Sequence, residues 1–129
     1  MSIEVELSSL AQTMSRFRFA YLLTNRAGSA PRAVAVVPVI DAGELLVDGI
    51  GQRTLDNLRT QPEVGLVWPP ASEGGYSLIV DGQAAADGRS VRIRPSRAVL
   101  HRPAPRPDPV EPGACGSDCV ELGLPDRSS

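Results

Sequence analysis

The chain has 129 residues, 42% of them hydrophobic, which fits one domain with one modest core and argues against a second domain. Its formal net charge of -2 argues against nucleic acid or an anionic membrane as the main partner, because both are bound through a strong positive field. All 13 basic residues are arginine, which excludes a lysine Schiff base or lysine nucleophile.

The N-terminal residues, MSIEVELSSL, carry acids where a signal peptide would carry positive charge. No apolar run is long enough to span a bilayer. We therefore expect a cytoplasmic protein that does not enter a membrane.

The first hundred residues alternate between extended runs and turns, with two short helices among them. The first helix is predicted to follow Ser8 or Ser9, and the second to run from Arg53 to about Thr60, before Pro62. Six runs that are rich in Val, Ile and Leu, or that alternate apolar with polar residues, predict strands at residues 19–24, 31–40, 44–50, 63–69, 76–86 and 90–102. This order predicts a small, mostly antiparallel β-barrel.

Beyond His101 the composition changes to the proline-dense RPAPRPDPVEPG. We expect the domain to comprise residues 1–102 and residues 103–129 to form a flexible Pro/Gly-rich tail, in which PAPRPDP is a possible polyproline-II ligand. Cys115 and Cys119 lie in this tail without a second ligand pair, and a zinc site needs about four ligands. No metal is expected, and a disulfide or simple disorder both stay open.

Residues 49–68, GIGQRTLDNLRTQPEVGLVW, predict a strand end, a glycine turn, a short helix and a second strand. Gly49 and Gly51 let the backbone approach an anion closely. The helix start offers free N–H groups, a hydroxyl and a guanidinium, from Gln52, Arg53 and Thr54. By itself this signal is weak, because two glycines before an amphipathic helix are commonly only a connection.

In this order the chain resembles the pyridoxamine 5'-phosphate oxidase-like, FMN-binding split-barrel proteins, the group that includes deazaflavin-dependent reductases. The resemblance spans about residues 17–102. It rests on the first hairpin, FAYLLTNRAGSAPRAVAVVPVI, on the later strand YSLIVDGQAAA, and on RTLDNLRTQPEVGLVW. In the last segment a basic residue precedes Asn-Leu and Arg, and a Pro follows about five residues after the Asn.

The resemblance implies a six-stranded antiparallel split β-barrel with short helices. It further implies a homodimer with FMN or a 5-deazaflavin coenzyme in a groove between the subunits. The implied activity is transfer of a hydride or electrons between this cofactor and a small substrate that the sequence does not identify. Because the cofactor supplies the redox chemistry, no catalytic side chain is assigned.

Cofactor binding then falls on the helix start and on the second strand, at Gln52, Arg53, Thr54, Arg32, Val34, Ala35 and Val36. Asn57 either contributes to this site or braces the preceding loop with its amide. Trp68 either stacks on the isoalloxazine ring or plugs the mouth of the barrel. For both residues the structural role is the more common one.

The second strand, AVAVVPV, is almost wholly apolar where many relatives carry polar or basic residues. This departure from the family pattern supports an alternative function. The alternative is a non-catalytic barrel that sequesters a cofactor or haem, or a degenerate member that holds no cofactor.

Overall fold

A single antiparallel sheet dominates the computed structural model, which describes residues 1–104. Its strands are β1 (Ser2–Val5), β2 (Ala20–Thr24), β3 (Arg32–Val36), β4 (Val39–Asp41), β5 (Glu44–Val47), β6 (Glu63–Trp68), β7 (Ser77–Asp87) and β8 (Ser90–His101). The helices are α1 (Leu10–Met14), which follows one turn of 3-10 helix at Leu7–Ser9, and α2 (Gln52–Thr60). The mostly β, antiparallel fold with short helices is confirmed.

The strands lie side by side in the order β3-β2-β6-β7-β8-β5-β4, and β1 also pairs with β8. The long strand β8 pairs with β7 along one edge, and with β5 and then β1 along the other edge. The sheet curls into a half-barrel. The consecutive strands β3 and β4 therefore lie at its two opposite ends.

The predicted count of six strands is wrong for the described residues, which form eight. β1 was missed because it is short and includes the acidic Glu4, and it is ordered by pairing with Ala98–His101 of β8. The predicted strand 31–40 is divided between β3 and β4 at Val37 and Pro38. Pro38 has no N–H to donate, so the ladder of β3 cannot continue through it.

The core lies between the concave face of the sheet and α2. Alternate residues of the strands point into it, as the strand periodicity of two requires; on β2 these are Ala20, Leu22 and Thr24. Leu55 and Leu58 of α2 are buried against the sheet, with exposed fractions of 2% and 1%. This burial holds α2 in place, since a helix this short is marginal alone.

A bulge between Asp81 and Gly82 interrupts the pairing of β7 with β8, where Gly82 faces Pro95. A Cβ atom at Gly82 would lie 2.6 Å from the carbonyl oxygen of Arg94, so only glycine fits here. The hydroxyl of Ser96 donates to the carbonyl oxygen of Asp81 at 3.1 Å and satisfies an acceptor that the bulge frees from the ladder.

Arg92 of β8 fastens the β4–β5 hairpin to the sheet. Its guanidinium donates to Glu44 Oε1 at 2.9 Å and to Asp41 Oδ2 at 3.1 Å. These hydrogen bonds, first to Glu44 and then to Asp41, raise the pKa of Arg92 above its ordinary value. The hairpin leads directly into the turn before α2.

Within residues 1–104 neither helix has the length and apolar character that a bilayer-crossing helix needs. The cytoplasmic location stays a prediction. So does the domain end at residue 102, because residues 105–129, with Cys115, Cys119 and most of PAPRPDP, lie outside the described residues.

Candidate functional site

A cavity of about 510 Å³ lies between the β2–β3 turn and the start of α2. We call it the arginine cavity, because Arg26, Arg32 and Arg53 line it together with Asn57. Among the described residues no aspartate or glutamate lines it, and none of these three arginines forms an ion pair. Three guanidinium groups without a carboxylate make the cavity attractive to an anion.

The fold brings the three arginines together from three segments. Arg32 is the first residue of β3 and pairs with Thr24, the last residue of β2. Arg26 lies in the turn between these strands, where Gly28 has a φ of 79° that favours glycine. Arg53 lies in the first turn of α2, which packs against β2 and β7.

Buried polar side chains lie directly beneath these arginines. Four polar side chains are buried in the described chain, and three of them, Thr24, Thr54 and Asn57, are here. Asn57 Nδ2 donates to Thr24 Oγ1 at 3.1 Å, and Arg32 Nε donates to Thr54 Oγ1 at 3.3 Å. Burying a polar group is unfavourable unless it is hydrogen-bonded, so this polar layer fixes the orientation of Arg32 and Asn57.

A second cavity, of about 390 Å³, lies on the other side of Arg32. We call it the β3 cavity, because Val34, Ala35 and Val36 line it together with Phe19, Thr54 and the turn at residues 48–51. Most of its lining residues are apolar, but Arg32 and Thr54 also line it, as does Asp48, whose carboxylate accepts a hydrogen bond from Ser90 Oγ at 2.7 Å. The β3 cavity therefore suits a flat apolar group better than a phosphate.

The glycine turn before α2 is held rigidly by Arg89. Ile50 N–H donates to the Arg89 carbonyl at 3.0 Å, and Arg89 Nε donates to the Ile50 carbonyl at 3.2 Å. Gly49 has a φ of 72°, and Gly51 is the N-cap residue of α2. The turn fixes where α2 begins, and hence where Arg53 and Thr54 stand.

The structure divides the predicted site residues between the two cavities. Arg53 and Asn57 line the arginine cavity. Four others, Val34, Ala35, Val36 and Thr54, line the β3 cavity, and Arg32 lines both. Asn57 bonds to β2 rather than to the preceding loop.

Two predicted residues line neither cavity. The amide of Gln52 donates to Asp56 Oδ1 at 2.8 Å along the helix. Trp68 is packed in the core with 2% of its surface exposed, which matches the plugging role rather than stacking.

Sequence reasoning missed Arg26 and Thr24. In the sequence Arg26 stands among turn residues, and Thr24 ends a predicted strand. A usable signal exists, since residues 7–40 contain four arginines and no aspartate or glutamate. Nothing in the sequence shows that one of the four lies opposite Arg53.

The largest of the cavities described here, about 670 Å³, lies over the bulge on the convex face of the sheet. Its lining mixes Glu63 and Asp81 with Arg94. Opposite charges beside one another leave no strong field for one kind of ligand, so the arginine cavity is the better candidate for a binding site.

No family model matches the chain. Two uncharacterized mycobacterial proteins, from Mycobacterium bovis and Mycobacterium tuberculosis, are each 39% identical to it over 138 residues. The match covers 95% of this chain and 97% of each relative.

Solved structures share the fold at low sequence identity. A candidate pyridoxamine 5'-phosphate oxidase from Listeria innocua is 15% identical, with a TM-score of 0.60 over 73% of this chain and 96% of that one. An FAD-binding protein from Mesorhizobium loti is 14% identical, with a TM-score of 0.59 over 79% and 99%. A haem storage protein from Vibrio cholerae is 14% identical, with a TM-score of 0.53 over 71% and 91%. These likenesses confirm the predicted split-barrel fold.

Proposed function

Because the chain belongs to the family of the two mycobacterial proteins and has the split-barrel fold of pyridoxamine 5'-phosphate oxidase-like proteins, we propose that it binds a flavin-type cofactor and acts as an oxidoreductase. The cofactor of the proposal is FMN or a 5-deazaflavin coenzyme, and the substrate is a small molecule. The bound cofactor supplies the hydride or electron chemistry, and the protein supplies position and electrostatics.

The observation that carries this proposal is the arginine cavity. Arg32 and Arg53 offer two charge-assisted contacts to a phosphate, each contributing about 1.5–3 kcal/mol. Asn57 adds an amide to the same lining. Since Arg32 and Asn57 are already held by Thr54 and Thr24, little side-chain entropy is lost when the anion binds.

The β3 cavity suits the ring system of such a cofactor. Val34, Val36 and Phe19 offer an apolar surface there. Arg32 lines both cavities, so a molecule with a flat ring at one end and a phosphate at the other has a matching surface for each end.

A homodimer completes the proposal. On the convex face of the sheet Tyr21 and Leu23 are 40% and 36% exposed, and they pair with the exposed Ala35 and Ala33 of β3. Val37, the residue after the end of β3, is 69% exposed and also lines the β3 cavity. A continuous apolar face on a small protein marks an interaction surface, and a second copy that covers it would also enclose the β3 cavity.

The test is a titration of the purified protein with FMN, followed by absorbance and flavin fluorescence. We expect Arg53→Ala to weaken binding at least tenfold, since it removes a charge-assisted contact. Arg59→Ala is the matched control, because Arg59 lies on the same helix and carries the same charge but lines neither cavity. Equal affinity of wild type and Arg53→Ala would remove Arg53 from the site.

A second candidate function is a non-catalytic carrier of haem or another cofactor. The apolar β3 lining favours it, as does the likeness to the haem storage protein. A haem carrier would show a Soret band with haemin. A ligand that binds only the folded state raises the melting temperature. FMN and deazaflavin should therefore leave the melting temperature of a haem carrier unchanged.

A further inference from the structure

The proposed function leaves the cavity over the bulge unused. Its volume of about 670 Å³ is typical of small-molecule sites. The pairing of β6, β7 and β8 sets Glu63, Gln83 and Arg94 side by side in one row across the strands. In the next row Gly65 lies opposite Asp81. All five residues line the cavity from the convex face of the sheet.

Gly65 leaves a hollow in this face that the fold does not require. Its φ is not in the left-handed region, and the atoms nearest to a Cβ built there lie 3.9 Å away. Backbone and packing would therefore accept a side chain here, in contrast to Gly82. One of those nearest atoms is Cδ1 of Leu23, which walls the hollow on the β2 side. A glycine inside a strand weakens it and often marks a place where a ligand approaches the backbone closely.

Opposite charges stand at the two ends of the first row. Glu63 and Arg94 flank Gln83, whose amide donates to Glu63 Oε2 at 3.3 Å. Within residues 1–104 neither Glu63 nor Arg94 forms an ion pair. This arrangement attracts no simple ion, but it matches a ligand that carries both charges.

The bulge decides which carboxylate is the freer one. It places Arg97, rather than Ser96, opposite Asp81, and the Arg97 guanidinium lies 3.9 Å from Asp81 Oδ2. That distance is too long for a hydrogen bond, but the nearby positive charge offsets part of the charge of Asp81. Glu63 is therefore the stronger partner for a cation.

We propose that this cavity binds a free α-amino acid with an apolar side chain. The ammonium group lies against Glu63, and the carboxylate lies against Arg94. The side chain fills the hollow at Gly65, beside Leu23. The proposal does not depend on flavin binding.

The spacing of the strands fits the length of such a molecule. Glu63 and Arg94 are two strands apart, which corresponds to about 9.6 Å at the usual strand spacing of about 4.8 Å. A charge-assisted hydrogen bond of about 2.8 Å at each end leaves about 4 Å for the ligand. This is close to the span from the nitrogen to the carboxylate oxygens of an α-amino acid.

The experiment is an NMR titration of the ¹⁵N-labelled full chain with L-leucine, N-acetyl-L-leucine and L-leucinamide. The acetyl compound lacks the ammonium charge, and the amide lacks the carboxylate. We expect saturable shifts of the Gly65 and Gln83 amide signals with L-leucine at a Kd of about 1 mM or lower. Each of the other two should bind about tenfold more weakly, because it loses one charge-assisted contact.

The outcomes that would overturn the proposal follow from the same titration. Wild type that shows no saturable binding of L-leucine would overturn it. Leucinamide that binds as tightly as L-leucine would show a site for amines, not for amino acids.

Charge variants test the two ends of the site. Arg94→Gln should weaken binding of L-leucine about tenfold and change that of leucinamide less than about threefold, because only the carboxylate loses its partner. Glu63→Gln should weaken L-leucine in the same way and leave N-acetyl-L-leucine little changed. Arg59→Gln is the matched control, because Arg59 is exposed on α2 and does not line this cavity. Wild-type affinity of Arg94→Gln for L-leucine would overturn the proposal.

Gly65→Val tests the hollow without changing any charge. Valine favours strands, and its Cβ would meet no atom closer than 3.9 Å, so the melting temperature should stay near that of wild type. The variant should bind L-leucine about tenfold more weakly, because the hollow is filled, and should bind glycine as wild type does. Unchanged affinity for L-leucine in a folded Gly65→Val would overturn the assignment of the hollow. Leu23 also belongs to the surface proposed for the dimer, so it is left unchanged in all these variants.

Discussion

Arg32 Nε donates a hydrogen bond to Thr54 Oγ1 at 3.3 Å, which ties the first residue of β3 to the first turn of α2. Thr54 is 2% exposed, so its hydroxyl has no solvent to bind instead. The bond holds the one arginine that lines both cavities in a fixed orientation. Thr54 therefore lines the β3 cavity itself and acts on the arginine cavity through Arg32.

Thr54→Val should weaken FMN binding about three- to tenfold. Valine has nearly the same shape but accepts no hydrogen bond, so Arg32 loses its fixed position, and one such bond contributes about 1 kcal/mol. Flavin-fluorescence titration measures the change. Thr54→Ser keeps the hydroxyl and should bind as wild type; a serine variant as weak as the valine variant would show that the methyl group matters instead.

Asn57→Leu should destabilise the fold as well as the site. Asn57 Nδ2 donates to Thr24 Oγ1, and Thr24 is only 1% exposed. The substitution leaves a buried hydroxyl without its donor, which costs about 1–3 kcal/mol. In a domain of about 100 residues each kcal/mol lowers the melting temperature by roughly 4–8 °C, so calorimetry detects the loss.

The double variant Asn57→Leu with Thr24→Val provides the control for this bond. With both partners apolar no buried polar group is left unpaired, so the double variant should be more stable than the sum of the two single effects predicts. If thermal and urea unfolding show that the double variant loses as much stability as the two single variants together, the two side chains do not interact.

The sequence was sufficient where one strand's pattern decides the structure. In β8 the alternation of apolar and polar residues by itself places Val91 and Ile93 inside and Arg92 and Arg94 outside, and the structure has them so. It was insufficient where pairing partners decide. β1 is ordered only by the edge of β8, and the arginine cavity exists only because the β2–β3 turn stands beside α2.

The site was predicted in part for the same reason. Arg53 could be predicted from the residues beside it, because the preceding glycines and the start of an amphipathic helix are patterns of a few residues. Arg26 carries no such signal, because its role depends on a neighbour far away in the chain. The burial of Thr24 likewise follows from the packing of α2 and not from the residues beside it.

Gly82→Ala should lower the free energy of unfolding by about 1–3 kcal/mol. The added Cβ would lie 2.6 Å from the Arg94 carbonyl oxygen and 2.9 Å from Ile93 Cγ2, so the bulge must shift. Gly65→Ala is the matched control on the neighbouring strand, where the nearest atoms lie 3.9 Å away. Urea unfolding should show the loss for Gly82→Ala alone; similar losses for both would attribute the effect to glycine in strands generally.

The proposed dimer predicts that charge on the convex face of β2 separates the subunits. Tyr21 and Leu23 are exposed and adjoin the small side chains of β3, so Tyr21→Glu with Leu23→Glu would bury two carboxylates in an apolar interface. Light scattering after gel filtration should give a dimer for wild type and a monomer for this variant. Its fold should persist, because neither side chain is part of the core.

The matched control places the same charges on exposed apolar residues at the other side of the sheet. Ile3→Glu with Leu7→Glu changes residues that are 48% and 43% exposed and line neither the arginine nor the β3 cavity. This variant should remain a dimer and bind FMN as wild type does. A monomeric wild type would refute the dimer, and dissociation by the Ile3 and Leu7 variant alone would move the interface to β1. If the β2 variant is monomeric and also binds FMN weakly, the partner subunit helps to enclose the cofactor.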